Sequence, residues 1–307
     1  MLIVIPGFFP PNEFNININS IIKKETPYIF KWLKNASINY IDDQLLNYGC
    51  TAFEAWQIKN NGFVPDNNQT ISSALGPLFT NFEKQDNYPI WLLELVNIEI
   101  NTSGVSLSNP YNINLAHSES LCLLNSIKYI LNDYPFKIEY IAPQRWRIFL
   151  PDSFHQLSLS PYFIFEKKIN VFSNCKIEIL QLRKLLNDVQ MFFHNHEINI
   201  YRESRGLKPI NFLWLYGGAK YWNPKQQKPD ILFTKLYEAS ISLNYDMWIY
   251  ELKNLEYLFK TLSKNNKLPK NSTNLVLLGH EKCNEYLIHN DINIFKRLNI
   301  FKNELFL

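Results

Sequence analysis

Glycine is scarce in this chain, with nine residues among 307. Dinucleotide-binding and Walker loops need several glycines that open directly onto a helix. The adjacent pair Gly217-Gly218 is followed instead by Pro224 and Pro229, so neither loop is expected. There is no GxSxG elbow, which leaves a serine-hydrolase triad without its anchor. The four cysteines, Cys50, Cys122, Cys175 and Cys283, lie far apart with no CxxC spacing. They read as reduced, buried thiols of a cytoplasmic protein rather than as a disulfide framework.

Concentrated charge is also missing. The formal net charge of +3 is spread along the chain, without the dense Lys/Arg tract of a nucleic-acid or membrane footprint, so neither partner is indicated. No stretch reaches transmembrane length free of charges and prolines. The opening MLIVIPGFFPPNEF breaks at Pro6-Gly7 and Pro10-Pro11, unlike a secretory leader. What is abundant is apolar: 46% of residues are hydrophobic and 15% aromatic, enough for one large domain or two modest ones.

The apolar patterning predicts a mixed α/β (α+β) fold, a mixed sheet flanked by helices. Leu2 to Ile5 form a first strand ending at the Pro6-Gly7 turn, and short helices follow between residues 16 and 60, the last stopped by Gly62. WLLELVNIEINTSGVSL (91–107) alternates around a Thr-Ser-Gly turn as a hairpin. A helix is expected at 118–132, and a second hairpin on either side of Ala142-Pro143-Gln144. Residues 151–176, proline-bearing and irregular, read as a linker or exposed excursion between an N-terminal part (1–150) and a C-terminal part (177–307), unless the whole is one compact domain. A single helix from Ile177 to Arg205 is ended by Gly206 and Pro209. Beyond it come an aromatic strand from Ile210 to Tyr216, a helix over 246–263, a strand at 274–278 and a short helix in DINIFKRLNIF (291–301).

In a continuous helix, His196, Asn199 and Arg202 share one face. Arginine offers a planar fork to carboxylate or phosphate oxygens, asparagine adds an amide donor, and histidine exchanges protons near neutral pH. The same residues also suit a polar helix end whose cations complement the helix dipole. The strand 210–216 would deliver the chain to Gly217-Gly218, where bare backbone either admits an anion or makes a tight turn with positive φ. His194 and His196 are two apart and would not aim at one metal from a regular helix. His280 and His289, near Glu281 and Asp291, resemble metal ligands in composition alone.

LLNDVQMFFHNHEINIYRESRGLKPINFLWLYGGAK (185–220) resembles the signature of the RpfE-type regulatory proteins of proteobacteria. In that family a helix with Asn-Glu-x-Gln-Met, a His-Pro-x-Asn segment and Arg-x-x-Arg-Gly lead into Val-Asn-x-x-Trp-x-x-Gly-Gly-Gly. PQRWRIFLP (143–151) looks like the family's Arg-Trp strand, SESLCLLNSI like its helix between hairpins, and LIVIPGFFPP like its opening strand. Departures are Asp188 for the helix Glu, Glu197 for the proline after His196, and Ala219 for the third glycine. The resemblance implies a regulatory protein that binds a small anionic ligand or a protein partner through His196, Asn199, Arg202, Arg205, Asn211, Trp214, Gly217 and Gly218, with no cofactor. Family members are often labelled cofactor-independent phosphoglycerate mutases. That label implies an alkaline-phosphatase-like fold, action on phosphorylated three-carbon acids, and two divalent metals held by Asp and His clusters beside a Ser nucleophile. Here the chain opens with PGFF in place of an acidic metal-binding motif, and no Asp-His pair follows.

Overall fold

The computed structural model describes residues 1–11, 17–34, 36–41, 48–66, 69–80, 88–101, 104–166, 180–225, 228–264, 272–280 and 283–289. The chain begins with β1 (Leu2–Phe9), α1 (Ile18–Glu25), α2 (Pro27–Leu33), β2 (Ala36–Ile41), α3 (Ala52–Asn60) and α4 (Leu75–Phe79). Next come β3 (Ile90–Val96), β4 (Ile98–Asn101), β5 (Gly104–Leu107), α5 (His117–Ser126), α6 (Lys128–Leu131), β6 (Lys137–Ala142), β7 (Arg145–Phe149) and α7 (Pro161–Glu166). After them lie α8 (Leu180–His194), α9 (Glu197–Ser204), β8 (Phe212–Ala219), β9 (Ile231–Leu232), α10 (Lys235–Ile241), α11 (Tyr245–Lys264), β10 (Ser272–Gly279) and β11 (Cys283–His289). This is the mixed α/β fold expected, although the helix expected at 291–301 lies outside the described residues.

Two compact units emerge: Met1–Leu45 with Gln227–Leu307, and Leu46–Gln226. They are not the expected segments 1–150 and 177–307. The reason is strand pairing, because β1 lies parallel to β10, with Leu2 opposite Asn274 and Ile5 opposite Leu277.

In the first unit the strand order is β2-β11-β10-β1-β9. β1 has neighbours on both edges and is buried on both faces, which is why LIVI reads as a continuous apolar run. It does not stop at Pro6-Gly7 as expected; the pairing shifts register between Pro6 and Phe9, and the strand continues through this irregularity. Trp248, Leu252, Leu255 and Phe259, at helical spacing on α11, join Ile3, Ile5, Leu275 and Leu277 in one core. Each fully buried side chain of this size contributes about 1.5–3 kcal/mol. From the same helix Glu256 accepts the N–H groups of Tyr28 (2.9 Å) and Ile29 (3.2 Å), satisfying donors that Thr26, at the start of α2, leaves uncapped.

The second unit is organised by an antiparallel sheet, β6-β7-β3-β8. Period-two alternation divides its faces. Trp91, Leu93, Leu95, Trp146, Ile148, Leu213 and Leu215 form a core with α5 and with Leu182, Leu185, Val189 and Phe193 of α8. Glu94 and Arg145, which pair across β3 and β7, have the opposite parity. The hairpin expected over 91–107 is shorter than predicted, since β3 stays in the sheet and β4 pairs with β5 alone. The second hairpin, β6-β7, is found where expected. The single helix expected from 177 to 205 is interrupted: α8 ends at His194, and His196 starts α9 by accepting the Ile198 N–H on Nδ1 at 3.1 Å.

The described part of the expected linker, residues 151–166, is tied down. Ser158 and Ser160 are buried. Leu159 O accepts from Trp214 Nε1 (2.8 Å), Ser158 Oγ from the Gly217 N–H (2.9 Å), and Gly49 O from the Ser160 N–H (2.7 Å).

The glycine pair therefore serves packing. Gly217 and Gly218 have φ of +97° and +100° and form a bulge in which Trp91 faces Gly217 while Ile90 faces Ala219. A Cβ on Gly217 would lie 2.7 Å from Ile90 O, and one on Gly218 2.4 Å from the Trp91 ring. Gly217→Ala should lower unfolding free energy by roughly 2–4 kcal/mol through combined backbone strain and overpacking. Chemical denaturation measures this, and a loss below about 0.5 kcal/mol, the range of an ordinary surface substitution, contradicts the assignment.

Candidate functional site

The residues singled out in the sequence do not line one pocket. Arg202, with no exposed surface, donates from Nε to Lys208 O (2.9 Å), from Nη1 to Glu119 Oε2 (2.9 Å) and from Nη2 to Ile113 O. Asn199 donates from Nδ2 to Phe193 O and Ile210 O, both 2.7 Å, and accepts the Ile210 N–H on Oδ1 at 2.7 Å. Asn211 acts like a strand partner, accepting the Ile98 N–H (2.8 Å) and donating to Ile98 O (2.9 Å). These side chains, with the helix-starting His196, fasten the entrance to β8.

Trp214 is buried within β8, and the glycines stand at its far end. Six residues of extended chain, about 20 Å, separate Asn211 from Gly217. Arg205 is exposed, its guanidinium 5.5 Å from the centre of the Tyr201 ring. Asn199 and Arg202 of α9 are thus buried structural donors.

A different polar cluster sits on the other face of the sheet. Glu94, 1% exposed, interrupts the otherwise apolar strand IWLLELV. Its Oε1 accepts from Tyr162 Oη (3.0 Å) and Arg145 Nη2 (3.1 Å), and its Oε2 from Arg145 Nε (2.8 Å) and Tyr216 Oη (2.6 Å). The Arg145 side chain is 14% exposed, and the Phe79 ring lies 3.9 Å from its guanidinium carbon. Burial opposes the Arg145 charge, but the Glu94 carboxylate and the two tyrosine oxygens outweigh it and hold the guanidinium pKa above its ordinary value. Burial, with Glu94 alongside, pushes the phenols of Tyr162 and Tyr216 well up, so both remain protonated donors.

Arg145 Nη1 makes no hydrogen bond among the described residues. Arg145 also lines a cavity of about 320 Å³ together with Glu94, Tyr111, Asn114, Gln144 and Tyr162. Asn114, which also lines it, holds a left-handed backbone, φ 46°, a conformation that asparagine tolerates better than other non-glycine residues.

Local sequence explains how the parts are aimed. Arg145 opens β7 directly after the tight turn at Pro143-Gln144, beside a register shift between Tyr140 and Ala142. Gln144 Nε2 donates to Pro110 O (2.9 Å), tying that turn to another segment of the cavity wall. Tyr162 lies in α7, where its N–H donates to Ser160 Oγ (3.2 Å), and Ser160 Oγ donates to Glu54 Oε1 (2.7 Å). Burial raises the Glu54 pKa against the pull of its bonds from Thr51 and Ser160. This constellation is not among the residues singled out from the sequence. Its signal was one carboxylate within seven buried strand residues, since a charge in such a place requires a partner.

Among the described residues, no group of three or more His, Cys, Asp or Glu could hold a metal ion. His280 is described, whereas Glu281 and Asp291, and the side chain of His289, lie outside the description. Among the described residues no helix is long and apolar enough to cross a membrane.

Removing Arg202 leaves Glu119 and two carbonyls without their donor. Arg202→Met should therefore cost roughly 3–5 kcal/mol of stability, and a loss under about 1 kcal/mol in urea denaturation, within reach of a surface ion pair, contradicts the structural role. His196 gives a pH signature. Burial lowers its pKa from the ordinary 6.5, so the unfolded chain takes up the proton first as pH falls. The stability it contributes is present above about pH 6.5 and is lost as pH falls through the lowered folded value. His196→Asn keeps a capping acceptor and should flatten that acid-side slope in denaturation curves recorded across this range; an unchanged slope rejects the assignment.

Compared with protein-family models and with curated proteins, the sequence matches none. Among solved structures, the chain is similar to the PH0037 protein from Pyrococcus horikoshii, at 10% identity and a TM-score of 0.47, covering 95% of this chain and 87% of that one. It is also similar to a cofactor-independent phosphoglycerate mutase from Thermoplasma acidophilum DSM 1728, at 11% identity and a TM-score of 0.36, covering 95% and 89%. Neither of these two is described as an RpfE-type protein.

Proposed function

We propose that the protein binds a small anionic ligand in the Arg145 cavity and acts as a cytoplasmic regulatory protein of RpfE type. The observation that carries this reading is the state of Arg145. Its Nε and Nη2 edge is committed to Glu94 and Tyr216, while Nη1 is left without a protein acceptor among the described residues. The bidentate grip of Glu94 fixes the plane of the guanidinium, so little side-chain entropy remains to be lost when a ligand oxygen arrives. A charge-assisted hydrogen bond to that edge is the strongest polar contact the cavity offers.

This reading moves the ligand from the 196–218 segment to the opposite face of the sheet, because the donors of Asn199, Arg202 and Asn211 are engaged within the chain. The resemblance of residues 185–220 to RpfE-type proteins supports regulation, and the free thiols of Cys50 and Cys122 suit a reducing compartment. The mutase alternative gains nothing from the cavity. Among the described residues no aspartate, histidine or serine lines it, and these are the residue types that two-metal phosphoryl transfer in such enzymes employs.

Titration calorimetry with pyruvate, benzoate, inorganic phosphate and 3-phosphoglycerate, with and without a chelator, tests the reading. At least one probe should bind saturably and independently of the chelator. Arg145→Lys, which keeps the charge beside Glu94 but loses the fork, should weaken that binding about tenfold, or ~1.4 kcal/mol. Absence of binding by every probe, or identical affinity in Arg145→Lys, overturns the proposal.

A further inference from the structure

Resting on the Arg145 reading, we infer that the ligand is a planar, ring-bearing monocarboxylic acid and not a phosphate ester. Charge is the first argument. Among the described residues, Glu94 and Arg145 are the charged ones that line the cavity, and they neutralise each other. A phosphoryl group carries about 1.5–2 negative charges near neutral pH and is ordinarily met by several donors or by a helix N-terminus. Here it would face one guanidinium already shared with a carboxylate. A single carboxylate asks for much less, and the free Nη1 edge supplies it.

The walls give the second argument. Tyr111 and Tyr162 stand with ring centres 4.5 Å apart at 52°, and Leu115 and Pro143 add apolar surface. Two aromatic faces and aliphatic walls favour a flat apolar body over a hydrated sugar or glycerate backbone. Size agrees. An apolar cavity of about 150 Å³ holds benzene, so the volume of about 320 Å³ here has room for a ring together with its carboxylate. Orientation then follows: with Phe79 lying against the guanidinium, the carboxylate approaches along the guanidinium edge, and the ring rests against the tyrosines.

Calorimetry on the full chain with benzoate, benzamide, phosphoglycolate and inorganic phosphate tests this class. Benzoate is expected to bind at least about tenfold more tightly than the other three, and Tyr111→Ala to weaken benzoate by about tenfold without a comparable effect on any residual phosphate binding. Phosphoglycolate or phosphate binding as tightly as benzoate, and weakened by Arg145→Lys, overturns the inference and leaves the Arg145 reading standing. Benzamide equal to benzoate overturns both, because charge is then not recognised. Binding by none of the four, or benzoate affinity unchanged in Tyr111→Ala, also overturns the inference; binding by none counts against the Arg145 reading too. The ranking of the four probes on the unaltered protein decides the matter even where a variant folds poorly.

Discussion

The ion pair between Glu94 and Arg145 is the constraint around which the second unit is arranged. Taking two charges out of water costs several kcal/mol each, and their attraction offsets this only when the geometry is good and the remaining lone pairs are filled. Here the carboxylate accepts four hydrogen bonds, two from the guanidinium and one from each of Tyr162 and Tyr216. Three sheet strands and α7 must therefore be in register together. A slip of β7 by one residue would exchange Arg145 for Trp146 opposite Glu94 and leave a bare carboxylate in the interior. The pair thus specifies the strand alignment as well as polarising the cavity wall.

The pair also explains why residues 158–162, so loop-like in composition, are held firmly. Tyr162 reaches Glu94 only if the segment before it is fixed, and fixation comes from backbone and hydroxyl bonds to Gly49, Ser72, Trp214 and Gly217. The bulge at the glycine pair exposes the Gly217 N–H for this purpose. Packing at one end of β8 is in this way transmitted to a phenol that borders the cavity.

Much of the architecture was legible from periodicity. The Trp248 to Phe259 stripe, the hairpin around Pro143-Gln144 and the left-handed end at Gly206 each follow from local rules: helical spacing, alternation across a turn, and freedom at positive φ. What escaped was non-local. No local pattern shows that Leu2 will lie beside Asn274, or that His196 breaks a strongly apolar helical run by capping its successor. The candidate site was read from residue type, and type alone does not tell a ligand-binding arginine from one spent on carbonyls. Arg202 and Arg145 look alike in sequence. What separates them is which guanidinium nitrogens are engaged among the described residues: all three in Arg202, Nε and Nη2 in Arg145.

The pairing of β1 with β9 and β10 has a consequence for synthesis on the ribosome. The first strand emerges long before its neighbours are translated, and its apolar LIVI segment has no sheet to enter until the chain has passed residue 231 and, for its longer neighbour, residue 279. The intervening unit, Leu46–Gln226, contains all four strands of its own sheet and can close while the amino-terminal strand still waits. Translation therefore imposes an order, with the inserted unit first and its host last, and it makes β1 the stretch most in need of a chaperone.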